Sequence, residues 1–473
     1  MLLRASLSIL GVGGVGVALG IALAACGSSD DSKFDDGTGN GNGDDSGITP
    51  GILPGGDSGP NPDAKPCTNL CLRQVQCAGG GTTSISGVIK DPAGKVPLYN
   101  ILVYVPNAAV APIVTGASCE RCGNVSGEPL VSAITDAAGK FKLDNVPVGK
   151  DVPLVIQVGK WRRQITVPTV ADCADTALDA TLSRLPRSKA EGDLPQMALA
   201  SGQADPFECL LTKMGIDLTE FTPESGAGRV HFFRENGVDL SPAAPAASTL
   251  YDDAAKLKKY DIVFLPCEGS QRDKALAADQ NLVDYTAIGG RVFTTHYSYA
   301  WLHLGAPPFP ATGAWVPEQA DRYSGTVPQI ATINQAFPKG AAFAQWLLNV
   351  NASTTLGQLG LFEARHDLNS APDPPSTTWM TVSDMPTTDP NATMHITFNT
   401  PTDVAEPMQC GRVVFSDFHV SASAKNPGTN PFPQSCRDGD LSAQEKALEF
   451  MLFDLSSCIQ SDKAPPTPPA VVK

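Results

Sequence analysis

Tyr260-Asp261-Ile262-Val263-Phe264-Leu265-Pro266-Cys267-Glu268-Gly269 is the stretch on which the fold turns. Ile262 to Leu265 is an unbroken apolar run, the pattern of a strand covered on both faces of a parallel sheet. It stops at Pro266 and turns at Gly269. That sets a cysteine at the carboxyl end of a central strand, where open α/β sheets gather ligands and chemistry.

Outward from this strand, helical and extended patterns alternate. Residues 196–199 and 229–233 predict strands, and Asp205-Pro206 opens a helix carrying Phe207, Leu210, Leu211 and Met214. Residues 248–257 and 273–288 predict helices, the second stopped by Gly289-Gly290. Residues 291–295 form the next strand, 332–348 a helix and 412–418 a late strand. Ser442 with Glu445 is a capping box, opening a helix with Ala447, Leu448, Met451, Leu452 and Leu455 on one face. This alternation predicts an α/β doubly wound, mostly parallel sheet over 194–460. Residues 350–410, rich in Thr, Pro and Asp, read as a β-rich insertion, with 394–398 its clearest strand.

Residues 67–183 follow period two instead. Ile85, Gly87 and Ile89 alternate with Ser86, Val88 and Lys90, and turn sequences recur at Asp91-Pro92-Ala93-Gly94, Thr135-Asp136-Ala137-Ala138-Gly139 and Val146-Pro147-Val148-Gly149. Short strands at regular spacing predict a small β-sandwich of transthyretin or Ig-like type, making the chain multidomain. Gly87-Val88-Ile89 with Asp91 and Gly94, Thr135-Asp136 with Gly139 and Phe141, then Pro147 and Gly149, resemble the carboxypeptidase regulatory-like domain. That resemblance implies a non-catalytic spacer or adhesion module. Residues 184–193 read as a linker and 461–473 as a disordered tail.

The chain has 473 residues and a formal net charge of -15, which excludes nucleic acid as a favoured partner. Met1 to Arg4 carries one positive charge, residues 5–22 are apolar, and Leu23-Ala24-Ala25-Cys26 follows. This resembles the bacterial lipoprotein signal, so residues 1–25 are expected to be removed and Cys26 lipidated, anchoring the protein to a membrane. Gly27 is not the aspartate associated with inner-membrane retention, so the cell envelope, and its outer membrane before its inner, is the expected location. Residues 26–66 are Gly, Asp, Ser, Asn and Pro with almost no apolar side chains, a disordered tether.

An exported chain with this many cysteines is expected to bridge them. Cys67, Cys71, Cys77, Cys119, Cys122 and Cys173 fall in one small unit and are expected to pair within it. The Cys119-Glu-Arg-Cys122 spacing also suits zinc, but no second such pair lies nearby. Cys209, in the helix after the first strand, is expected to bridge Cys267 and so remove its thiol. Of Cys410, Cys436 and Cys458, two then pair and one is left over.

Three pieces of the second region carry a further likeness: Cys267 after its buried strand, Gly289-Gly290-Arg291-Val292-Phe293-Thr294-Thr295-His296, and Gly411-Arg412-Val413-Val414-Phe415-Ser416-Asp417-Phe418-His419. Together they resemble the class I glutamine amidotransferase-like superfamily, including the trehalose-utilisation type. The resemblance implies a cysteine nucleophile at Cys267 and a base at His419 or His296. Ser421 stands where the amidotransferases orient that base with a glutamate, and Pro-Cys-Glu-Gly replaces their usual elbow. Glu268 or Asp417 could supply the carboxylate.

Other residues have candidate binding roles. Trp161, Arg162 and Arg163 have the composition of a binding surface, or of a sheet edge. Tyr297, Tyr299 and Trp301 could stack on sugar rings, or pack at an interface. His231 and His395 read as structural and His366-Asp367 as a solvated loop. No metal site is expected: His296, His303 and His419 lack ligand spacing. No cofactor is expected, since no phosphate-cradling loop, nucleotide fingerprint or serine elbow is present. The expected function is a cell-surface lipoprotein with a non-catalytic binding or structural role, toward a saccharide or another envelope protein. The alternative is a cysteine-dependent hydrolase or amidohydrolase using Cys267 with His419 or His296.

Overall fold

The computed structural model describes residues 67–123, 125–236, 240–316, 327–383, 391–420, 432–436 and 439–471. The signal, Cys26, the tether and Ser421 lie outside them. The chain is sheet-rich and mixed α/β, with sheets of three, four, ten and two strands.

Two small sheets come first. Ser84–Val88 is central in one, antiparallel to Lys140–Asp144 and parallel to Asp175–Ala177. The other runs in the order Pro129–Ile134, Leu102–Pro106, Gly149–Val158, Trp161–Val170, all antiparallel. Alternate residues point inward, so that Ile85, Val103, Phe141 and Ile156 share one core.

The large sheet is half parallel. Phe221–Pro223, Val230–Phe233, Met197–Ala200, Ile262–Leu265, Arg291–Thr295 and Gly411–Ser416 lie side by side and parallel in that order. Ala392–Thr400, Ser376–Val382, Gln329–Ile333 and Gln358–Leu361 continue the sheet antiparallel. The expected insertion therefore extends the main sheet: Ala392–Thr400 hydrogen-bonds along Gly411–Ser416, so its apolar side chains are covered on both faces. Residues 332 and 333, expected to begin a helix, end the Gln329–Ile333 strand, and the helix is Pro338–Asn349.

The central strand behaves as its composition requires. Ile262 and Phe264 enter one core, with Phe207 and Leu210 of the Phe207–Lys213 helix and Leu448 and Met451 of Ala443–Ser456. Val263 and Leu265 enter the other, with Leu282 and Tyr285 of Leu276–Ala287. Gly289 closes that helix at φ +113°, and a Cβ there would stand 2.0 Å from the Ser118 carbonyl oxygen, so a side chain would force the 107–128 loop away. The capping box at Ser442 and Glu445 forms as expected.

The described residues make one compact unit. Cys119 is bonded to Cys410 and Cys122 to Cys458, so these two do not pair within residues 67–183. The 107–128 loop reaches across to the large-sheet region, which brings the Cα atoms to 4.6 and 4.9 Å. Cys67–Cys71 and Cys77–Cys173 do pair locally.

The supposed binding surface at Trp161 and Arg162 is interior. Trp161 packs edge-on against Phe453, and Arg162 pairs with Asp193. Half-buried Arg163 donates to the Thr181 and Leu182 carbonyls. The composition is that of an interface, but the partner is the helix of the same chain. Asp462, assigned by composition to a disordered tail, is buried between Arg412 and Lys339. No described helix is long and apolar enough to cross a membrane.

Candidate functional site

Three neighbouring parallel strands end on the same edge, which gathers the residues that follow them. Cys267 lies two residues beyond Ile262–Leu265, His296 directly after Arg291–Thr295, and His419 three after Gly411–Ser416. Their ligating atoms all lie within 4.8 Å of one another. All three residues are buried.

Cys267 is a free thiol. Its Sγ is 3.2 Å from His296 Nδ1 and accepts from the Gly269 N–H at 3.4 Å. The expected Cys209–Cys267 bridge is absent because Cys209 is bonded to Cys436, with Cα atoms 5.1 Å apart. The Cys267 sulfur turns instead toward the His296 ring. The bridges also use Cys410 and Cys458 separately, so the odd cysteine among those described is Cys267 itself.

Each imidazole has an acid on its far side. His419 Nδ1 lies 2.9 Å from Asp205 Oδ1, and His296 Nε2 lies 3.5 Å from Asp367 Oδ2. Asp205 also accepts from the Val420 N–H at 2.8 Å and from the Thr295 hydroxyl, and Thr295 Oγ1 accepts the Cys267 N–H at 3.0 Å. One carboxylate thus braces both the His419 ring and the cysteine turn. With Nδ1 committed to Asp205, Nε2 is the His419 nitrogen left for a proton or a ligand. The two rings stand 4.9 Å apart and nearly perpendicular. His296 sits at φ +38°, a left-handed conformation that a non-glycine residue seldom adopts and that re-aims its side chain.

The neutral forms of most of these groups are favoured. Burial pushes the Cys267 thiol up, and the Asp205 charge adds to this. Burial, then His419 and Arg365, hold His296 well below the ordinary histidine range. Burial works to raise Asp205, but His419, Thr295 and Val420 outweigh it and the carboxylate is lowered. Burial and the neighbouring Asp417 raise Asp367 well above its usual range.

Glu268 is not the orienting acid. It points to Lys274 Nζ at 2.7 Å and accepts from Asn236 at 2.8 Å. Asp417 touches neither imidazole; it accepts the Asp367 N–H at 2.7 Å and so fixes the acid behind His296. His366-Asp367 is buried and not solvated. His303 is half-buried beside Tyr299, away from the cluster. Tyr299 and Trp301 are packed inward, Trp301 against Tyr251, and Tyr297 lies on the His296 ring. His231 bonds the Tyr260 hydroxyl and His395 that of Ser416. Asp205, Thr295 and Asp367 were missed as site residues. Asp205 precedes its proline like any helix start, and only its place after a parallel strand hinted at more.

No family model matches the chain, and no curated protein does. Among solved structures, a cytoplasmic protein from Salmonella typhimurium aligns at TM-score 0.30 and 9% identity, covering 55% of this chain and 98% of its own. A ThuA-like protein from Bacteroides uniformis aligns at 0.30 and 10%, covering 57% and 94%. Another from Parabacteroides merdae aligns at 0.31 and 11%, covering 58% and 94%. Likenesses this distant add nothing to the chemistry of the site, which rests on its own geometry.

Proposed function

We propose that this chain is an exported, lipid-anchored hydrolase. Its reacting groups are Cys267, His296 and His419, with Asp205 and Asp367 behind the imidazoles. One observation carries the reading: the unbridged cysteine lies against one of two buried histidine–aspartate pairs, with the second imidazole also within reach. An imidazole so placed takes a proton from an attacking group and returns it to a leaving group, while the acid holds its tautomer. In this reading residues 67–183 are an Ig-like sandwich spacer, and the large sheet is a doubly wound, amidotransferase-like domain. Cys26 is the lipid attachment point.

A second reading is a non-catalytic envelope component that binds a saccharide or another protein. It is favoured by the complete burial of Cys267. It ranks second because buried ionised and polar groups rarely add stability over apolar side chains of the same volume. Two imidazole–carboxyl pairs around one thiol are therefore a cost without a structural return.

The test is turnover. The purified exported chain is assayed on chromogenic esters and amides beside His296→Gln and His419→Gln. The expected result is hydrolysis that falls about 10²-fold or more in each variant. A folded chain that turns over none of them, or variants as active as the parent, would sink the hydrolase reading.

A further inference from the structure

We propose that Cys267, His296 and His419 are the three protein ligands of one divalent transition-metal ion of the zinc type, with a fourth position open. This rests on the reading above that these side chains form the working centre, and it assigns the sulfur the part of a ligand.

The donor set suits such an ion. One sulfur and two imidazole nitrogens are the soft-to-borderline donors that zinc, cobalt and copper select. In a tetrahedral zinc site, with bonds of about 2.3 Å to sulfur and about 2.0 Å to nitrogen, neighbouring donors stand roughly 3.3–3.7 Å apart. Cys267 Sγ and His296 Nδ1 are already at 3.2 Å, and the whole set fits within 4.8 Å.

The surroundings point the same way. Histidines that bind metal give their other nitrogen to a carboxylate or carbonyl, which fixes the ring. His419 does so here through Nδ1 to Asp205, and His296 Nε2 faces Asp367 Oδ2 at 3.5 Å, an oxygen with no hydrogen-bond partner of its own. The nitrogens presented to the ion are then His419 Nε2 and His296 Nδ1. A thiol nucleophile needs one imidazole with one acid; it gives no part to a second such pair. Metal ligation uses both.

The charges balance. A buried dication needs anionic compensation close by. On binding, the Cys267 S–H bond breaks, its proton leaves to solvent, and sulfur donates its electron pair to the metal. The resulting thiolate and the Asp205 carboxylate supply two negative charges. Three protein ligands are the count of a catalytic site and not of a closed structural one, so the fourth position can take water or a substrate oxygen.

The experiment uses the full exported chain, purified without a histidine tag. Its metal content is measured by plasma mass spectrometry, and the chelator-stripped protein is titrated with Co2+. The expected result is one equivalent of metal, with a sulfur-to-cobalt charge-transfer band and tetrahedral visible bands. Cys267→Ser should lose the charge-transfer band, and His419→Gln should bind at least 10-fold more weakly. Asp205→Asn should keep the stoichiometry while weakening affinity about 10–100-fold. His303→Gln should change nothing. Circular dichroism of each variant separates loss of metal from loss of fold; if a ligand variant unfolds, the parent's cobalt spectrum decides. No stoichiometric metal and no sulfur–cobalt band in the folded parent overturns the proposal, as does an unchanged band in Cys267→Ser. Hydrolysis that depends on Cys267 but survives chelation removes the metal and leaves the hydrolase. One bound equivalent without turnover does the reverse.

Discussion

His419 Nδ1 and Asp205 Oδ1 meet at 2.9 Å across 214 residues of chain. The contact joins the end of the Gly411–Ser416 strand to the turn that follows Met197–Ala200, two strands that are not neighbours in the sheet. Asp205 also takes the Val420 N–H and, through Thr295, supports the cysteine turn. Replacing it by alanine would leave three donors without their acceptor in a dry interior. Asp205→Ala should therefore cost about 3–5 kcal/mol of stability. Urea unfolding at neutral pH measures this, and a loss below about 1 kcal/mol would mean that the carboxylate braces nothing.

Thiol counting checks the cysteine assignment. Under denaturing, non-reducing conditions, an alkylating reagent should mark a single cysteine between residues 67 and 458, on the peptide that carries Cys267. In the native state that thiol should stay unmarked over the same interval, because it is fully buried. Marking of Cys209 or Cys436 would break the bridge assigned between them.

The two long-range bridges should not act additively. Cys119–Cys410 and Cys122–Cys458 close nearly the same loop, with separations of 291 and 336 residues. With one in place, the other closes a loop of only about 50 residues, worth about 4 kcal/mol by the chain-entropy rule; losing both removes about 9 kcal/mol, because the Cys209–Cys436 bridge already shortens the first loop to about 120 residues. Single-pair alanine variants should fold with lowered midpoints. The double-pair variant should lose more than their sum.

Much of the sheet could be read before any coordinates, because burial on both faces leaves a continuous apolar run. Residues 291–295 are strand to the residue, and residues 262–265 occupy the centre as their composition demands. The place of Cys267 was readable for the same reason. Its partners were not. Asp205 and Asp367 look like a helix start and a loop acid until distant strands set them against imidazoles. Cysteine pairing was equally opaque, since all thiols look alike and the path of the 107–128 loop decides which meet. Trp161 misled because an aromatic beside arginine reads the same whether it faces solvent or, as here, Phe453.

A pH effect should appear at Glu208. Burial raises this carboxyl from its usual 4.5 to about 8, with Asp205 adding to the shift. Because the folded-state pKa lies above the unfolded one, the contribution is fully present below about pH 4.5 and is lost as pH rises through 8. The slope is up to about 1.4 kcal/mol per pH unit. Asp91 and Asp417 are raised to about 6, and burial also lifts Asp367 and Glu449 well above the usual carboxyl range, so the Glu208 share is read from the difference between parent and variant. Glu208→Gln should leave stability at pH 5 within about 1 kcal/mol of the parent and raise it at pH 8. Parallel stability–pH curves for the two proteins would contradict the assignment.

The end of the chain offers the sharpest contrast between composition and structure. Residues 461–473 are polar and proline-rich, yet Asp462 sits 2.7 Å from Arg412 and 3.1 Å from Lys339, and accepts from the Thr397 hydroxyl at 2.8 Å. Arg412 and Lys339 are both buried and share only Asp454 as a second acid. Removing Asp462 leaves two buried cations against one carboxylate, an imbalance that costs about 3–5 kcal/mol. A chain ending at residue 460, and the point variant Asp462→Ala, should both lose about that much. Truncation after 463 should instead be mild, because it spares the ion cluster and removes the Pro469 carbonyl's contact with Ser132 and the Ala464 N–H bond to the Ser461 carbonyl. Thermal unfolding of the three proteins separates the cases. Equal midpoints for the 460 truncation and the parent would show that Asp462 is dispensable, and that the cations find their balance elsewhere.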